Sequence, residues 1–268
     1  MAKPTRYHDQ LKLEKRRHLM RKVLFVLVIT LIVCAGLIYG LFFAKLFDVR
    51  EITITGGQTL NNNEIFDFVS QKIEQKVFGI KRGSNLFFLS SEKIEQELLK
   101  TYPKIDAVMA AKSYFHKLNI EVKERSSYGI WCLTKQDKCY YFDKSGVLYD
   151  SAPSTSGFLL FSVKDERRRD VKLGERAEEQ SWIDSLVLAR QKLTERGFQV
   201  KELVIPEDSF DEFYALESRG WKIQMSINTD LDAQIKTMAD FLKQKLTPER
   251  IIQLQYVDIR IADRIYYR

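Results

Sequence analysis

Residues 105–125 read IDAVMAAKSYFHKLNIEVKER, and this stretch decides the fold of the first domain. It predicts two strands joined by a turn at SYFHKL. In the second strand Leu118, Ile120 and Val122 alternate with Asn119, Glu121 and Lys123, which is typical of a sheet with one buried face. Such a strand pair needs a covering layer over its apolar face.

The covering layer is predicted upstream of the strand pair. FDVREITITG (47–56) predicts a first strand with a bulge near Arg50-Glu51 and a turn at Gly56-Gly57. Two helices follow, one capped by Asn61–Asn63 and one capped by Ser91 that stops at Tyr102-Pro103. Their apolar stripes are Ile65, Phe66, Val69 and Ile73, and Ile94, Leu98 and Leu99. The order predicts a three-stranded sheet covered by two helices.

The N-terminal region predicts a membrane anchor. Val23 to Phe43 contains no charged side chain, and as a helix it is roughly 30 Å long, enough to cross a bilayer. The run is longer than a signal-peptide core, which favours an uncleaved helix over 23–43. The preceding tail, 1–22, carries eight Lys or Arg against two acids, whereas Lys45 stands alone soon after the helix.

By the positive-inside rule, the basic tail stays in the cytoplasm and the chain from about residue 46 lies outside. The tail then determines topology and contacts anionic lipid; a cytoplasmic partner docking on it is the alternative. The net charge of +7 comes mostly from this segment. The near-neutral remainder lacks the basic footprint of a duplex-binding protein.

Residues 126–268 predict a second, β-rich domain with two helices. Short strands are expected in SYGIWCL, CYYFD, GVLYD, GFLLFSV, QVKELVI, EFYALES, WKIQMSI and the tail from Tyr256. Helices are expected in EEQSWIDSLVLARQKLTERG and, behind the cap Asp230, in DLDAQIKTMADFLKQKL up to Pro248. The charged KDERRRD is interpreted as a solvated turn. In the tail Val257, Ile259 and Ile261 are predicted to face one way.

Residues that could support catalysis are sparse. His116 is the one histidine after the apolar run, and it is expected to be a solvated loop side chain. Asp258 and Arg260 are interpreted as a structural polar pair rather than a catalytic one. No phosphate loop, nucleophile–base set or metal-ligand spacing is recognisable, so neither enzyme activity nor a cofactor or metal is predicted.

The ordered motifs resemble the FtsQ/DivIB family of bacterial division proteins, which combine a POTRA domain with a β domain. The matching positions are Phe47, Val49, Ile52, Ile54, Gly56, Pro103, Leu118, Ile120, Val122, Glu124 and Arg125, then Tyr140, Asp143, Gly146, Tyr256, Asp258 and Arg260. Ser127 and Gly129 depart from the Pro and Ala that the family often has there.

The resemblance implies an α+β protein with one N-terminal transmembrane helix, a POTRA domain at 47–125 and a β domain at 126–268. It implies a scaffold in the inner membrane at the division septum, not an enzyme. Such proteins bind FtsB (DivIC) and FtsL and help to localise and regulate septal peptidoglycan synthesis. A POTRA-containing periplasmic chaperone or secretion-assembly component is the alternative.

The last residues of the chain predict a partner site. Asp263 breaks the alternation and predicts a turn before residues 264–268, which would form a terminal strand at a sheet edge. An open edge accepts a partner strand through main-chain hydrogen bonds. We expect Ile261, Ile265, Tyr266 and Tyr267 to line this site. Alternatively, these side chains complete the core and surface of their own sheet.

Two cysteines flank a predicted hairpin loop, TKQDK. Cys132 and Cys139 would lie outside the cytoplasm, where disulfides persist, and they lack the histidine or the C-x-x-C spacing of a metal or redox site. As cross-strand neighbours they could form a disulfide; two free thiols are the alternative. Cys34 is interpreted as a small apolar residue of the membrane helix.

Overall fold

The computed structural model describes residues 6–43, 47–74, 85–86, 89–113, 116–154 and 161–268. The helices are α1 (Arg6–Phe43), α2 (Asn62–Glu74), α3 (Ser91–Thr101), α4 (Gln180–Glu195), α5 (Leu231–Lys245) and α6 (Pro248–Ile252). The strands are β1 (Glu51–Thr55), β2 (Ile105–Ser113), β3 (Lys117–Glu124), β4 (Gly129–Leu133), β5 (Lys138–Phe142), β6 (Leu148–Ala152), β7 (Phe161–Asp165), β8 (Val200–Ile205), β9 (Glu212–Glu217), β10 (Lys222–Ser226), β11 (Tyr256–Asp258) and β12 (Tyr266–Tyr267).

Some sequence predictions fall outside the described residues: 1–5 of the basic tail, Lys45, Tyr114-Phe115 of the turn, and 157–160 of the strand predicted in GFLLFSV. The described chain forms two compact units. The first contains α1, β1, α2 and the adjoining halves of β2 and β3. The second contains the other halves of these two strands and everything from β4 onward.

Helix α1 is longer than the predicted span. It begins at Arg6 and contains an apolar stretch, Leu19–Leu37, with a mean hydropathy of 2.2. By length and composition this stretch can cross a membrane. The basic residues before Val23 join the same helix because Lys, Arg, Leu and Glu are good helix formers.

The three-stranded sheet has the order β1-β3-β2. The predicted alternation in β3 is confirmed, since Leu118, Ile120 and Val122 are at most 2% exposed and the residues between them are exposed. The first strand is shorter than predicted: it begins at Glu51, and Asp48 makes only an isolated bridge with Asn85. The bulge predicted at Arg50-Glu51 is supported, because the backbone N–H groups of both residues donate to the His116 carbonyl oxygen, at 2.8 and 3.1 Å.

The loop after β1 is bound to the end of β3. Glu124 Oε1 accepts the backbone N–H groups of Gln58, Thr59 and Leu60 at 2.6, 2.8 and 2.9 Å, and the Thr59 hydroxyl donates to Oε2 at 2.6 Å. Burial raises the pKa of Glu124, but these four donors together outweigh it and lower the pKa to about 2. One carboxylate thus satisfies three consecutive backbone N–H groups of this loop.

The predicted helices α2 and α3 are present, but fewer of their apolar side chains are buried than the sequence predicted. Ile65, Val69 and Ile73 of α2 are buried, whereas Phe66 is 43% exposed. In α3 Leu99 is likewise exposed. The residue before the predicted cap supplies the capping oxygen, because Ser90 Oγ accepts from the Lys93 N–H at 3.3 Å.

The large sheet has nine strands in the order β12-β11-β10-β9-β8-β7-β4-β5-β6. Strands β4, β5 and β6 form a meander, because each pairs antiparallel with the next strand in sequence. The β4–β7, β7–β8 and β10–β11 pairs are parallel, so the sheet is mixed. With the helices this confirms the predicted α+β class.

Helices α4 and α5 pack together and share one hydrophobic core with the sheet. The largest fully buried side chains of this core include Trp131, Trp221, Phe142 and Phe213. The predicted cap of α5 is confirmed, since the Asp230 carboxylate accepts from the Ala233 N–H at 3.1 Å. A third helix, α6, begins at Pro248, where the sequence predicted only a stop; proline fits the first turn of a helix.

Two interpretations of charged residues are wrong. The KDERRRD segment is not simply solvated: Asp165 is 0% exposed, and Arg167 binds both of its carboxylate oxygens at 2.9 Å while packing over the Trp182 ring. A buried carboxylate requires such a partner. His116 is not a solvated side chain either, because it is half-buried and has a positive φ of 97°. Its ring Nδ1 donates a hydrogen bond to the Asp48 carbonyl oxygen, with 2.7 Å between the two atoms.

Candidate partner-binding edge

Strand β12 lies at one end of the nine-stranded sheet. It pairs antiparallel with β11 on its inner side, with Val257 opposite Tyr267 and Asp258 opposite Tyr266. Within the described residues no strand pairs with its outer side. The outer side of β12 therefore presents a strand edge.

The hydrogen bonds between β11 and β12 show which main-chain groups face outward. The Arg268 N–H donates to the Tyr256 carbonyl at 3.2 Å, and the Tyr256 N–H donates back at 3.4 Å. Tyr256 and Arg268 are thus a hydrogen-bonded pair, so the next pair, Val257 and Tyr267, is a non-bonded one. The N–H and C=O of Tyr267 consequently point away from β11, toward the open edge.

A tight turn places β12 at this edge. Asp263 has a φ of +60°, and the Arg264 N–H donates to the Ile261 carbonyl at 3.2 Å. The turn predicted at Asp263 is confirmed. Aspartate tolerates this left-handed conformation better than the β-branched residues nearby would.

The four side chains expected at the site have different surroundings. Tyr266 and Tyr267 are both 46% exposed and Ile261 is 53% exposed, whereas Ile265 is half-buried against the hydrophobic core. Tyr267 packs its ring 5.5 Å from that of Phe241 on α5. The structure brings Tyr266 and Tyr267 onto the edge strand. Ile265 and Tyr267 also contribute to the sheet's own packing.

Arg260 connects the end of β11 to β9. Its guanidinium binds both carboxylate oxygens of Asp258, at 2.9 and 2.7 Å, and also lies 2.6 Å from Glu212 Oε2. These ion pairs raise the pKa of Arg260. Burial acts to raise the pKa of Asp258, but the bonds from Arg260 outweigh it and lower that pKa. A paired carboxylate and guanidinium with these shifts stay ionised, which suits a structural role.

Comparison with known proteins finds two similarities. The model for the POTRA domain of FtsQ type matches residues 47–125. A similar protein, named "Cell division protein DivIB", comes from Clostridium botulinum (strain Loch Maree / Type A3) and is 26% identical over 171 residues. Both matches support membership of the FtsQ/DivIB family. The similarity covers 62% of this chain and 59% of the clostridial protein, so the match spans less than two thirds of that relative.

The two cysteines lie far from β12 in the sheet order. Cys132 and Cys139 face each other directly on β4 and β5 and are joined by a disulfide, and both are half-buried. Five strands separate β4 from β12. The disulfide therefore crosslinks a different part of the sheet from the candidate edge.

Sequence reasoning missed three residues near the β12 edge of the nine-stranded sheet. Glu212 holds Arg260, Phe241 supports Tyr267, and Phe210 is 93% exposed in the loop before β9. The first two pairings join residues distant in sequence, so no local pattern signals them. Phe210 did carry a signal, because a single aromatic stands within the otherwise polar PEDSFDE.

Proposed function

We propose that this protein is a bitopic membrane scaffold of the bacterial cell-division machinery. In this proposal it binds FtsB/DivIC and FtsL and helps to localise and regulate septal peptidoglycan synthesis. The family matches support a role in division, and the family's members act as scaffolds rather than enzymes. The proposed domains are the tail 1–22, the membrane helix 23–43, the POTRA domain 47–125 and the β domain 126–268.

The membrane arrangement follows from α1. Its apolar stretch Leu19–Leu37 crosses the cytoplasmic membrane, and the basic residues before it keep the N-terminus in the cytoplasm. The domains after residue 46 are then extracytoplasmic. The disulfide between Cys132 and Cys139 supports this orientation, because disulfides persist in oxidising compartments and are rare in the cytosol.

The open edge of β12 is the observation that carries the partner proposal. A partner segment would add as a further strand and bond to the outward N–H and C=O of Tyr267. Ile261, Ile265, Tyr266 and Tyr267 would contact the side chains of that segment. Main-chain bonds supply affinity in this mode, and the flanking side chains supply selectivity.

Replacing Tyr267 by proline tests this mode directly. Proline has no N–H and so removes the outward donor, while the inward bonds of Arg268 to Tyr256 do not involve the Tyr267 N–H. Tyr267→Ala is the matched control, since it loses the same ring contact with Phe241 but keeps the N–H. Binding to the purified FtsB/DivIC ectodomain is measured by titration calorimetry.

We expect Tyr267→Pro to lose at least about tenfold more affinity than Tyr267→Ala. Equal affinity of the two variants would refute strand addition at this edge. Deletion of residues 264–268 should also abolish co-purification while the rest of the ectodomain keeps its cooperative melting transition. In cells, a fluorescent fusion of the wild-type protein should gather at midcell, and depletion should give undivided cells.

A further inference from the structure

The loop between β8 and β9, residues 206–211, presents the most exposed apolar side chain of the described chain. Phe210 is 93% exposed, more than any apolar residue of the candidate membrane helix. Leaving a phenyl ring in water forgoes roughly 2 kcal/mol of burial free energy. Solvent-exposed aromatic rings of this kind are typical anchors at protein interfaces.

The loop that carries Phe210 is held rigidly. Ser209 Oγ donates to the Glu212 carbonyl and accepts from the Glu212 N–H at 3.0 Å, so the hydroxyl closes the turn around Phe210. The Ser209 N–H also donates to the Pro206 carbonyl at 3.2 Å. An anchor held in one conformation before binding loses less entropy when a partner covers it.

Both ends of the loop are attached to neighbouring elements. On one side Glu207 pairs with Lys135 at 2.8 Å. On the other side the Asp211 carboxylate accepts from Ser226 at 3.1 Å and from Asn228 at 2.7 Å. The exposure of Phe210 is thus built into the fold.

Phe210 lies at the same end of the sheet as the turn that leads into β12. Glu212 pairs with Ser226 on β10, and Arg260 reaches back across β10 to Glu212. Ile261, which is 53% exposed, directly follows Arg260. Strands β9 and β12 are three positions apart in the sheet, which corresponds to a distance of about 14 Å. Four or five residues of an extended chain can span this distance.

A small recess lies between the loop and the end of β11. It has a volume of about 70 Å³ and is lined by Pro206, Glu212, Phe213, Tyr214, Gln224 and Arg260. A chain that leaves the β12 edge at this end of the sheet would pass Ile261, then the recess, then Phe210. The recess, formed mainly by residues of β9 and β10 and by Arg260 after β11, therefore lies between β12 and Phe210 in the sheet order.

We infer that Phe210 is a second contact point for the same partner polypeptide that adds a strand to β12. This inference rests on the proposed function. The partner segment that follows or precedes the added strand supplies an apolar pocket for the phenyl ring. The pocket carries basic or hydrogen-bonding groups at its rim, because Asp208 and Asp211 flank the Phe210 turn, whereas Glu207 and Glu212 are already paired with Lys135 and Arg260. The three acids of the loop, Glu207, Asp208 and Asp211, also disfavour insertion into an anionic membrane.

The test measures the affinity of the extracytoplasmic domains for the purified FtsB/DivIC ectodomain. The variants are Phe210→Ala, Phe210→Leu, Ser209→Ala and, as a control on another exposed apolar residue, Leu173→Ala, which is 43% exposed in the wild type. We expect Phe210→Ala to weaken binding at least about tenfold and Phe210→Leu to recover part of that loss. Ser209→Ala should give an intermediate loss, and Leu173→Ala no loss. Melting temperatures of the Phe210 variants should match the wild type, because the ring has almost no contacts to lose.

The outcomes separate this inference from the proposed function. If Tyr267→Pro abolishes binding and Phe210→Ala binds within twofold of the wild type, the inference is overturned while the proposed function stands. If Phe210→Ala weakens binding and Tyr267→Pro does not, the proposal of strand addition at β12 is wrong. The inference that Phe210 and β12 bind the same segment is then wrong as well. If the wild type does not bind, both are overturned. Loss of binding in both variants supports the inference.

Discussion

Arg260 Nη1 lies 2.6 Å from Glu212 Oε2, and this ion pair joins residues 48 positions apart across the intervening strand β10. It fastens the end of β11, and hence the turn into β12, to the strand that follows the Phe210 loop. The same guanidinium also holds Asp258 through two bonds. Arg260 therefore helps to position the candidate edge, together with the pairing of β11 with β10.

Replacing Arg260 by glutamine should destabilise the protein by about 1–2 kcal/mol, because Asp258 loses its partner while it stays mostly buried. Glu212→Gln removes only the more exposed of the two ion pairs and should cost less than about 1 kcal/mol. Denaturant unfolding of the two variants measures the difference. Equal stability losses would show that the Asp258 pair contributes nothing beyond the Glu212 pair.

Glu124→Gln should lower stability at neutral pH by roughly 1 kcal/mol, since a neutral amide oxygen accepts the three backbone N–H groups less strongly than a carboxylate. The pKa of Glu124 is depressed to about 2, so its stabilisation is fully present above the ordinary value of 4.5. It is lost as the pH falls from about 4.5 through about 2. The stability gap between wild type and Glu124→Gln should narrow over that window and stay constant from pH 6 to 8. A gap that is independent of pH down to 2 would contradict the assignment.

Gly56→Ala should be strongly destabilising, by roughly 2–4 kcal/mol, for two reasons that act together. Gly56 has a φ of +95°, and an added Cβ would lie 2.1 Å from the Val122 carbonyl oxygen. Gly197→Ala is the matched control, because Gly197 has a φ of +85° but open space around the added Cβ. Gly197→Ala therefore measures only the backbone strain of a positive φ, which should lower the free energy of unfolding by about 1 kcal/mol. Similar melting temperatures for the two variants would show that the contact with Val122 relaxes without cost.

Replacing both Cys132 and Cys139 by alanine should lower the free energy of unfolding by about 2–3 kcal/mol, because the disulfide restricts the unfolded chain. The loss stays in this range because the loop that the disulfide closes is short. Adding a reductant to the wild type should produce the same shift in the denaturation midpoint, and should leave the alanine variant unchanged. Mass spectrometry before reduction should find both cysteines protected from alkylation. Alkylation of both thiols without reductant would refute the disulfide.

The turn and the strand that form the candidate site could be predicted from the sequence, because both depend mainly on neighbouring residues in the chain. The break at Asp263 indicated the turn, and the two terminal tyrosines indicated the strand that follows it. Glu212, Phe241 and Phe210 could not be predicted in this way. The first two act through contacts across the sheet or between helix and strand, and the exposure of Phe210 depends on what surrounds the loop.

The sequence by itself determined the candidate membrane helix, the buried face of β3 and the order of the five elements β1, α2, α3, β2 and β3. Hydrophobic run length and the periodicity of two or 3.6 residues suffice for these features, since each depends on neighbours in the chain. Only the tertiary structure decided which strand is the edge of the nine-stranded sheet, why Asp165 is buried and why Ile261 is exposed although it continues the phase of Val257 and Ile259. Those features depend on which distant strands and helices pack against a segment, and the packing of distant elements leaves no periodic trace in the segment itself.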